Sequence, residues 1–370
     1  MLASFDRVAA LVVDELRAAP CAVAAASLGT GAAIRRDIGA WGVLTRETGG
    51  PVATHDTPFD LASVTKSFVA VTLARLAKRG KIGFDERLGS VLPDLSNTPV
   101  GNCPLELLLA HRSGLAAHRQ LYAPLIEGRP MDRQRSIIEA SGSRPECEGE
   151  RPTQGFFPVY SDMGYLLVGL AIEARTQTPL DEVVLGEVTG PLGIEAQVGS
   201  ARQLGSRDAD FLERVAPTED VAFRGGVVRG VVHDENAWAF SGPGISGHAG
   251  LFGDAASVRT FGEAVLAALK HDDGWLGPQD IEPLVRERQN GTLRAGFDGR
   301  GVTPSSGSRL GPRSFGHLGF TGTSLWLDPD VGFVGVLLTN RVHPTRDHIA
   351  IRAARPLAYD AMFDALEHPR

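Results

Sequence analysis

A hydroxyl and an amine stand three positions apart in Asp60-Leu-Ala-Ser-Val-Thr-Lys-Ser-Phe-Val-Ala70, as Ser63 and Lys66. Lys66 is one of four lysines in a chain whose lysines and arginines together number 37. Arginine keeps its proton inside a protein, whereas a desolvated lysine can give it up, so the pair offers a nucleophile beside a base. Apolar Val64, Phe68, Val69, Leu73 and Leu76 recur at helical spacing and Arg79-Gly80 closes the run, which predicts a helix over 63–78. Residues three apart share a helix face, so the Ser63 hydroxyl and the Lys66 amine can meet. The helix N-terminus also turns free N–H groups and partial positive charge toward Ser63, which favours a developing oxyanion. The same spacing fits a plain helix cap followed by a solvated lysine, and a Ser-x-x-Lys pair by itself is a common pattern.

Other polar clusters are less specific. Val232-His233-Asp234-Glu235-Asn236 precedes a glycine-rich run and suits either a cleft wall that touches substrate or a polar turn with an Asx cap. No second histidine lies at ligand spacing from His233, so no metal is expected. Gly242-Pro-Gly-Ile-Ser-Gly247 fits Gly-x-Gly-x-x-Gly but sits in no βαβ unit, and no nucleotide cofactor is expected. No serine has glycine at both −2 and +2, so the nucleophile elbow of α/β-hydrolases is missing. Acyl chemistry here falls to Ser63 and its neighbours.

The elements that must position these groups follow from periodicity. Residues 1–16 read as an amphipathic helix, 21–29 and 32–42 as two strands joined by Thr30-Gly31, and 105–111, 132–140, 162–176 and 179–188 as helices. A helix is expected over 255–270, three strands over 315–319, 323–327 and 333–340, and a last helix over 346–366. The simplest build is α+β. An antiparallel sheet made from both termini (1–60 and 202–370) is flanked by helices, a mostly helical insertion (61–201) packs beside it, and the active site lies in the cleft between them.

Composition bounds the partners. A formal charge of −7 and a pI near 5.8 argue against nucleic acid and anionic membrane, and leave a small-molecule acyl substrate as the expected partner. Cys21, Cys103 and Cys147 are too few and too scattered for a disulfide framework or a zinc ribbon. Charged Asp6, Arg7, Asp14 and Glu15 interrupt the first apolar residues, unlike a signal peptide, and no stretch reaches membrane-spanning length. A cytoplasmic protein is expected; oligomeric state is left open.

Three motifs in order now carry a resemblance: Ser63-Val-Thr-Lys66, Tyr160-Ser-Asp162 and His317-Leu-Gly319-Phe-Thr-Gly322. Together they resemble the serine β-lactamase and penicillin-binding group, whose class A members carry Ser-x-x-Lys, Ser-Asp-Asn and Lys-Thr-Gly. The tyrosine in the second motif, with Leu107-Leu-Leu-Ala-His-Arg-Ser-Gly114, is similar to the class C branch and its esterase, D-aminopeptidase and carboxypeptidase relatives. The resemblance covers most of the chain. It implies a β-lactamase/transpeptidase-like fold, Ser63 as the nucleophile of an acyl-enzyme, a neutral buried Lys66 as proton acceptor, Tyr160 as second acid/base, and an oxyanion hole from the backbone N–H groups of Ser63 and Phe320. His111 and Ser113 in the Leu-Ala-His-Arg-Ser-Gly turn are read as structural, and the 340–346 turn either as a rim of the cleft or, the preferred reading, as a cap before the last helix.

Two departures bear on substrate. Where the family carries Lys-Thr-Gly, this chain has His317-Leu318-Gly319, and a neutral imidazole with a leucine holds a substrate carboxylate poorly. Where many β-lactamases have Tyr-x-Asn, it has Asp162, which ionised only accepts hydrogen bonds and, close to Lys66, would favour the ammonium and shift the base role to Tyr160. Substrate contacts are therefore expected from Asp162, His317, Gly319, His233 and Asn236. The expected activity is that of a carboxylesterase on small acyl esters, the alternatives being a D-amino-acid peptidase or D-Ala carboxypeptidase, a weak β-lactamase, or a catalytically silent binding protein.

Overall fold

Strand β1 (Cys21–Leu28) reads Cys-Ala-Val-Ala-Ala-Ala-Ser-Leu, and every one of its residues is buried. Such a run suits a strand covered on both faces, with small alanines letting helices approach closely. In the computed structural model, which describes residues 2–45 and 49–368, both faces are covered. Cys21, Val23 and Ala25 face the larger apolar cluster, whereas Ala22, Ala24, Ala26 and Leu28 face a second one.

β1 pairs antiparallel with β2 (Arg35–Gly42), Ala24 opposite Gly39, and on its other side with the C-terminal strand of the sheet, Ala24 opposite Leu337. With β3 (Asp298–Gly299), β4 (Phe315–Leu318), β5 (Ser324–Asp328) and β6 (Phe333–Thr339), the sheet order is β2-β1-β6-β5-β4-β3, antiparallel throughout. Strands from the two ends of the chain thus share one sheet. The expected α+β class, with an antiparallel sheet drawn from both termini and flanked by helices, is the observed one.

Helix α1 (Ser4–Ala10) packs Phe5 and Val8 on the second cluster and then widens into a π-helical turn (Leu11–Glu15), so the expected helix over 1–16 is two joined pieces. α2 (Thr65–Lys78) is buried from Thr65 to Leu76, the mark of a helix enclosed on all sides. α3 (Asp162–Thr176) begins and ends where the sequence places it, with Ser161 as N-cap accepting from Gly164 N–H. α4 (Glu235–Ser241) is capped by Asp234, α5 (Ala255–Ala268) covers one face of the sheet, and α6 (Ile351–Glu367) covers the other with α1. α6 starts five residues later than expected, because the segment before it turns back to meet Glu219 and Phe320.

A small second sheet brings the chemistry together. Phe59–Asp60 and Gly199–Ser200 flank Leu251–Gly253, so the strand leading to Ser63 lies beside the end of the glycine-rich segment. Leu61 N–H donates to Leu251 O at 2.9 Å, and Leu251 N–H to Thr65 Oγ1 at 3.2 Å. No helix among the described residues is long and apolar enough to cross a membrane.

Candidate active site

Ser63 sits in a 3₁₀ turn (Ala62–Val64) ahead of α2, not in the helix itself. Ala62 adopts φ 47°, a left-handed conformation that costs a residue with a Cβ about 1 kcal/mol or more. The Asp60 carboxylate holds the kink: Oδ1 accepts from Ala62 N–H at 2.8 Å and Oδ2 from His233 N–H at 2.7 Å. Burial raises the Asp60 pKa, partly offset by those bonds. The result is a serine half-exposed at the floor of a cleft of about 540 Å³.

Lys66 Nζ lies 2.8 Å from Ser63 Oγ, 2.8 Å from Asp162 Oδ1 and 3.1 Å from the His248 carbonyl. It is completely buried. Burial alone would lower its pKa and yield the neutral amine expected from the family resemblance. Asp162 first and Tyr160 second more than reverse that, and the amine is pushed up to about 12. The expectation of a neutral Lys66 is therefore corrected: three acceptors satisfy an ammonium, and Asp162 is held well below the usual carboxylate range, its burial overcome by the Lys66 charge. His248 reaches this site through its backbone, which approaches α3 at Gly247, where a Cβ would fall 1.8 Å from Tyr165 O. The His248 ring faces away, Nε2 being 2.8 Å from Asp234 Oδ1.

Tyr160 precedes α3 on a loop zipped to the turn after Leu109: Val159 N–H donates to His111 O, Ser161 Oγ to Ala116 O and Asp162 N–H to Ala117 O. Its phenol interacts with both Lys66 and Ser63. Burial raises the Tyr160 pKa while Lys66 pulls it back, so the phenol is the resting form. Beneath the ring lies His111, stacked at 4.6 Å between centroids, φ 59°, its Nδ1 accepting from Ser161 N–H at 3.0 Å. Burial brings His111 down to about 3, so it is a neutral support. The sequence reading of this turn as structural missed that what it supports is Tyr160.

On the opposite wall, β4 delivers His317, Leu318 and Gly319. His317 Nδ1 donates to Leu318 O at 2.9 Å, and burial first, then Lys66, brings the imidazole down to about 3. It is neutral, as expected, and its ring lies 6.1 Å from that of Tyr160. A Cβ on Gly319 would meet Thr323 Oγ1 at 1.9 Å and Leu61 O at 2.7 Å, so only glycine lets this strand close on the nucleophile segment. Thr321 Oγ1 donates to Asp60 O at 2.8 Å and Thr323 Oγ1 to Leu61 O at 3.0 Å, locking the two segments in register. The N–H groups of Ser63 and Phe320 take no part in the backbone bonds of either segment, the condition an oxyanion hole requires. The Phe320 ring is clamped by His233 at 5.7 Å, Arg341 at 4.5 Å and Arg346 at 5.6 Å.

The 232–236 segment forms cleft wall only in part. His233, Asp234 and Glu235 line the cleft, His233 Nε2 resting 2.9 Å from Glu219 Oε2. Asn236, expected to touch substrate, is instead fully buried and donates to Arg119 O, because capping by Asp234 starts α4 and turns the second residue inward. One group escaped sequence reading, and a second was read chiefly as a helix cap. His118 faces Asp162 from the rim, 3.7 Å away, with no motif around it. Arg341, Arg346, Arg352 and Arg355 all line the cleft, returning cationic charge that the missing Lys-Thr-Gly lysine suggested was lost. Their recurrence before and within the last helix was the available signal.

The arrangement offers a hydroxyl in contact with an ammonium, a phenol whose ring centre lies 5.0 Å from that ammonium, and two backbone N–H groups with no backbone partner among the described residues, a set suited to acyl transfer. The described residues contain no cluster of His, Cys, Asp or Glu able to hold a metal ion. A putative D-alanyl-D-alanine carboxypeptidase of Escherichia coli (strain K12) is 28% identical over 333 residues, covering 82% of this chain and 75% of that one. Among solved structures, the D-amino acid amidase of Ochrobactrum anthropi SV3 superposes with a TM-score of 0.68 at 20% identity, covering 98% of each chain. EstCE1, a hydrolase with promiscuous acyltransferase activity, superposes with a TM-score of 0.68 at 19% identity, covering 96% of this chain and 97% of that one. The sequence profile of the β-lactamase family matches residues 12–360, nearly the whole length, and the chain belongs to that family.

Proposed function

We propose that this chain is a serine hydrolase that forms an acyl-enzyme on Ser63 and prefers carboxylic esters of small acyl groups. The observation that carries this reading is the 2.8 Å contact between Ser63 Oγ and a buried Lys66 that also meets Tyr160. In the fraction of molecules whose Lys66–Tyr160 pair has released one proton to solvent, Ser63 Oγ attacks the carbonyl carbon as its own proton passes to the Tyr160 phenolate beside the Lys66 ammonium. The carbonyl oxygen takes the negative charge between the Ser63 and Phe320 N–H groups, and the alkoxide leaves with a proton returned by Tyr160. Water then repeats the sequence on the acyl-enzyme, releasing the acid and restoring Ser63. Lys66 stays an ammonium through much of this cycle and stabilises phenolate on Tyr160, so Tyr160 is assigned the larger share of the base role.

Esters are favoured over amides and lactams for two reasons. Neutral His317 supplies no charge where the family places a lysine, and Asp162 spends its carboxylate on Lys66 and cannot donate to an amide carbonyl. A second reading, a D-alanyl carboxypeptidase, draws on the four cleft arginines, which suit a substrate carboxylate, and on the name of the Escherichia coli relative. In either reading the cleft lies between the sheet part, 1–60 and 202–370, and the helical part, 61–201.

Hydrolysis of p-nitrophenyl acetate and butyrate by the wild type and Ser63→Ala decides the first point: equal inactivity removes ester hydrolysis, and equal activity removes Ser63 from it. Intact-mass measurement after exposure to an ester panel and to penicillin decides the second. Stoichiometric, long-lived penicilloylation with no ester turnover promotes the carboxypeptidase reading.

A further inference from the structure

Asp162 uses its two oxygens differently. Oδ1 holds Lys66 at 2.8 Å, while Oδ2 faces His118 Nδ1 at 3.7 Å. His118 is not there by accident of side-chain rotation, because the two residues before it are bolted to the start of α3: Ala116 O accepts from Ser161 Oγ at 2.6 Å and Ala117 O from Asp162 N–H at 2.9 Å. The imidazole is 45% exposed at the cleft rim, and its other nitrogen has no partner among the described residues. One carboxylate thus stands between a buried amine in contact with the nucleophile and a histidine open to solvent.

We propose that His118 is a positioning residue that sets how firmly Lys66 keeps its proton, by competing with it for Asp162. This rests on the Ser63–Lys66–Tyr160 reading above. The imidazole stands 3.7 Å from Oδ2, beyond hydrogen-bond length but within ion-pair reach, so an N–H dipole there draws negative charge away from Oδ1 weakly and a cation more strongly. Either weakens the one interaction that keeps a desolvated lysine protonated. The other charged groups facing this pair act in known directions. Asp162 itself raises the basicity of His118 most, against a burial that lowers it, and Asp234 and Glu235, from the cap and first turn of α4, add to the rise. His248, bound to Asp234, and Lys66 both favour the carboxylate form of Asp162. Tyr160 gains too: a lysine that releases its proton more readily is a better partner for the phenol in passing the serine proton.

The test is the pH dependence of kcat/KM for p-nitrophenyl acetate from pH 6 to 10, in the wild type, His118→Ala, His118→Gln and His118→Arg. Removing the donor strengthens the hold of Asp162 on Lys66, so His118→Ala moves the rising limb to higher pH, lowering the rate at pH 8 about 3-fold for a shift of about half a pH unit. A permanent cation does the opposite, and His118→Arg moves the limb to lower pH. His118→Gln, a neutral donor, falls between alanine and the wild type. Opposite displacements by alanine and arginine are not produced by a merely structural role. Limbs that coincide while only their heights differ, or that move in the same direction for alanine and arginine, overturn the proposal. Wild-type turnover equal to that of Ser63→Ala defeats the serine-hydrolase reading and this proposal with it, and is visible before any His118 variant is made.

Discussion

Lys66 Nζ and Asp162 Oδ1 stand 2.8 Å apart, and this contact fixes the form in which the amine meets Ser63. With Lys66 pushed up to about 12 and the Tyr160 phenol raised above its ordinary 10, both proton acceptors are occupied at neutral pH. Each unit of pH below the controlling pKa lowers the fraction of competent base about tenfold. Ester hydrolysis should therefore climb from pH 7 to 10 without the plateau near neutrality that a histidine base gives. His317 and His111, both brought down to about 3 by burial, are neutral well before pH 5 and add no inflection between pH 5 and 8. A bell centred at pH 7 would contradict the assignment.

Replacing Asp162 by asparagine keeps the shape and removes the charge. Burial, now unopposed by a carboxylate, lowers the Lys66 pKa, so the rising limb of kcat/KM should move to lower pH by about one unit or more. The side chain also becomes a possible donor to an amide carbonyl, and acylation by a labelled penicillin should speed up. Stability is expected to fall by about 3 kcal/mol in urea, because one partner of a buried pair has gone. Asp162→Asn with an unmoved limb would show that the carboxylate does not control Lys66.

Tyr160→Phe separates the phenol from the ring. The ring still packs over His111 at 4.6 Å and near His317 at 6.1 Å, so the fold and the cleft wall should persist. Loss of the proton carrier should lower kcat by about 10²–10⁴ with KM little changed, and slow fluorophosphonate labelling of Ser63 in parallel. Wild-type kcat in the phenylalanine variant would return the base role to Lys66.

These expectations trace back to features with unequal visibility in the sequence. α3 was legible to the residue because Ser161 caps it and its apolar positions repeat at helical spacing. Strands β1 and β6 were legible because covered strands read as unbroken apolar runs, whereas the two-residue β3, Asp298–Gly299, carried no such signal. Ser63 and Lys66 were found by spacing, but the 3₁₀ turn and left-handed Ala62 were not, since that kink is imposed by Asp60 and by strands distant in sequence. The charge of Lys66 stayed between two expectations because burial and an opposite charge pull its pKa in opposing directions, and only the distance to Asp162 says which wins. Asn236 was misplaced because a polar pentapeptide does not reveal which of its residues a cap will turn inward. His248 acts through a carbonyl, which leaves no trace in residue type.

Glu219 ties the Phe320 wall of the cleft together and should betray itself in acid. Its carboxylate meets His233 at 2.9 Å, Arg346 Nε at 2.5 Å and Arg346 N–H at 3.0 Å, and His233 and Arg346 in turn clamp the Phe320 ring. Burial raises its pKa, but these donors overcome that and bring it from 4.5 to about 2. A carboxylate depressed on folding contributes stability that is complete above pH 4.5 and fades as pH falls toward 2. Glu219→Gln should therefore lose roughly 2–4 kcal/mol relative to the wild type at pH 7, and the gap should narrow steadily between pH 5 and about 2.5 in urea denaturation. The same variant frees Phe320, so kcat for ester hydrolysis should drop while labelling still occurs at Ser63. A stability gap equal at both ends of that pH range would mean that the carboxylate is not the group holding this wall.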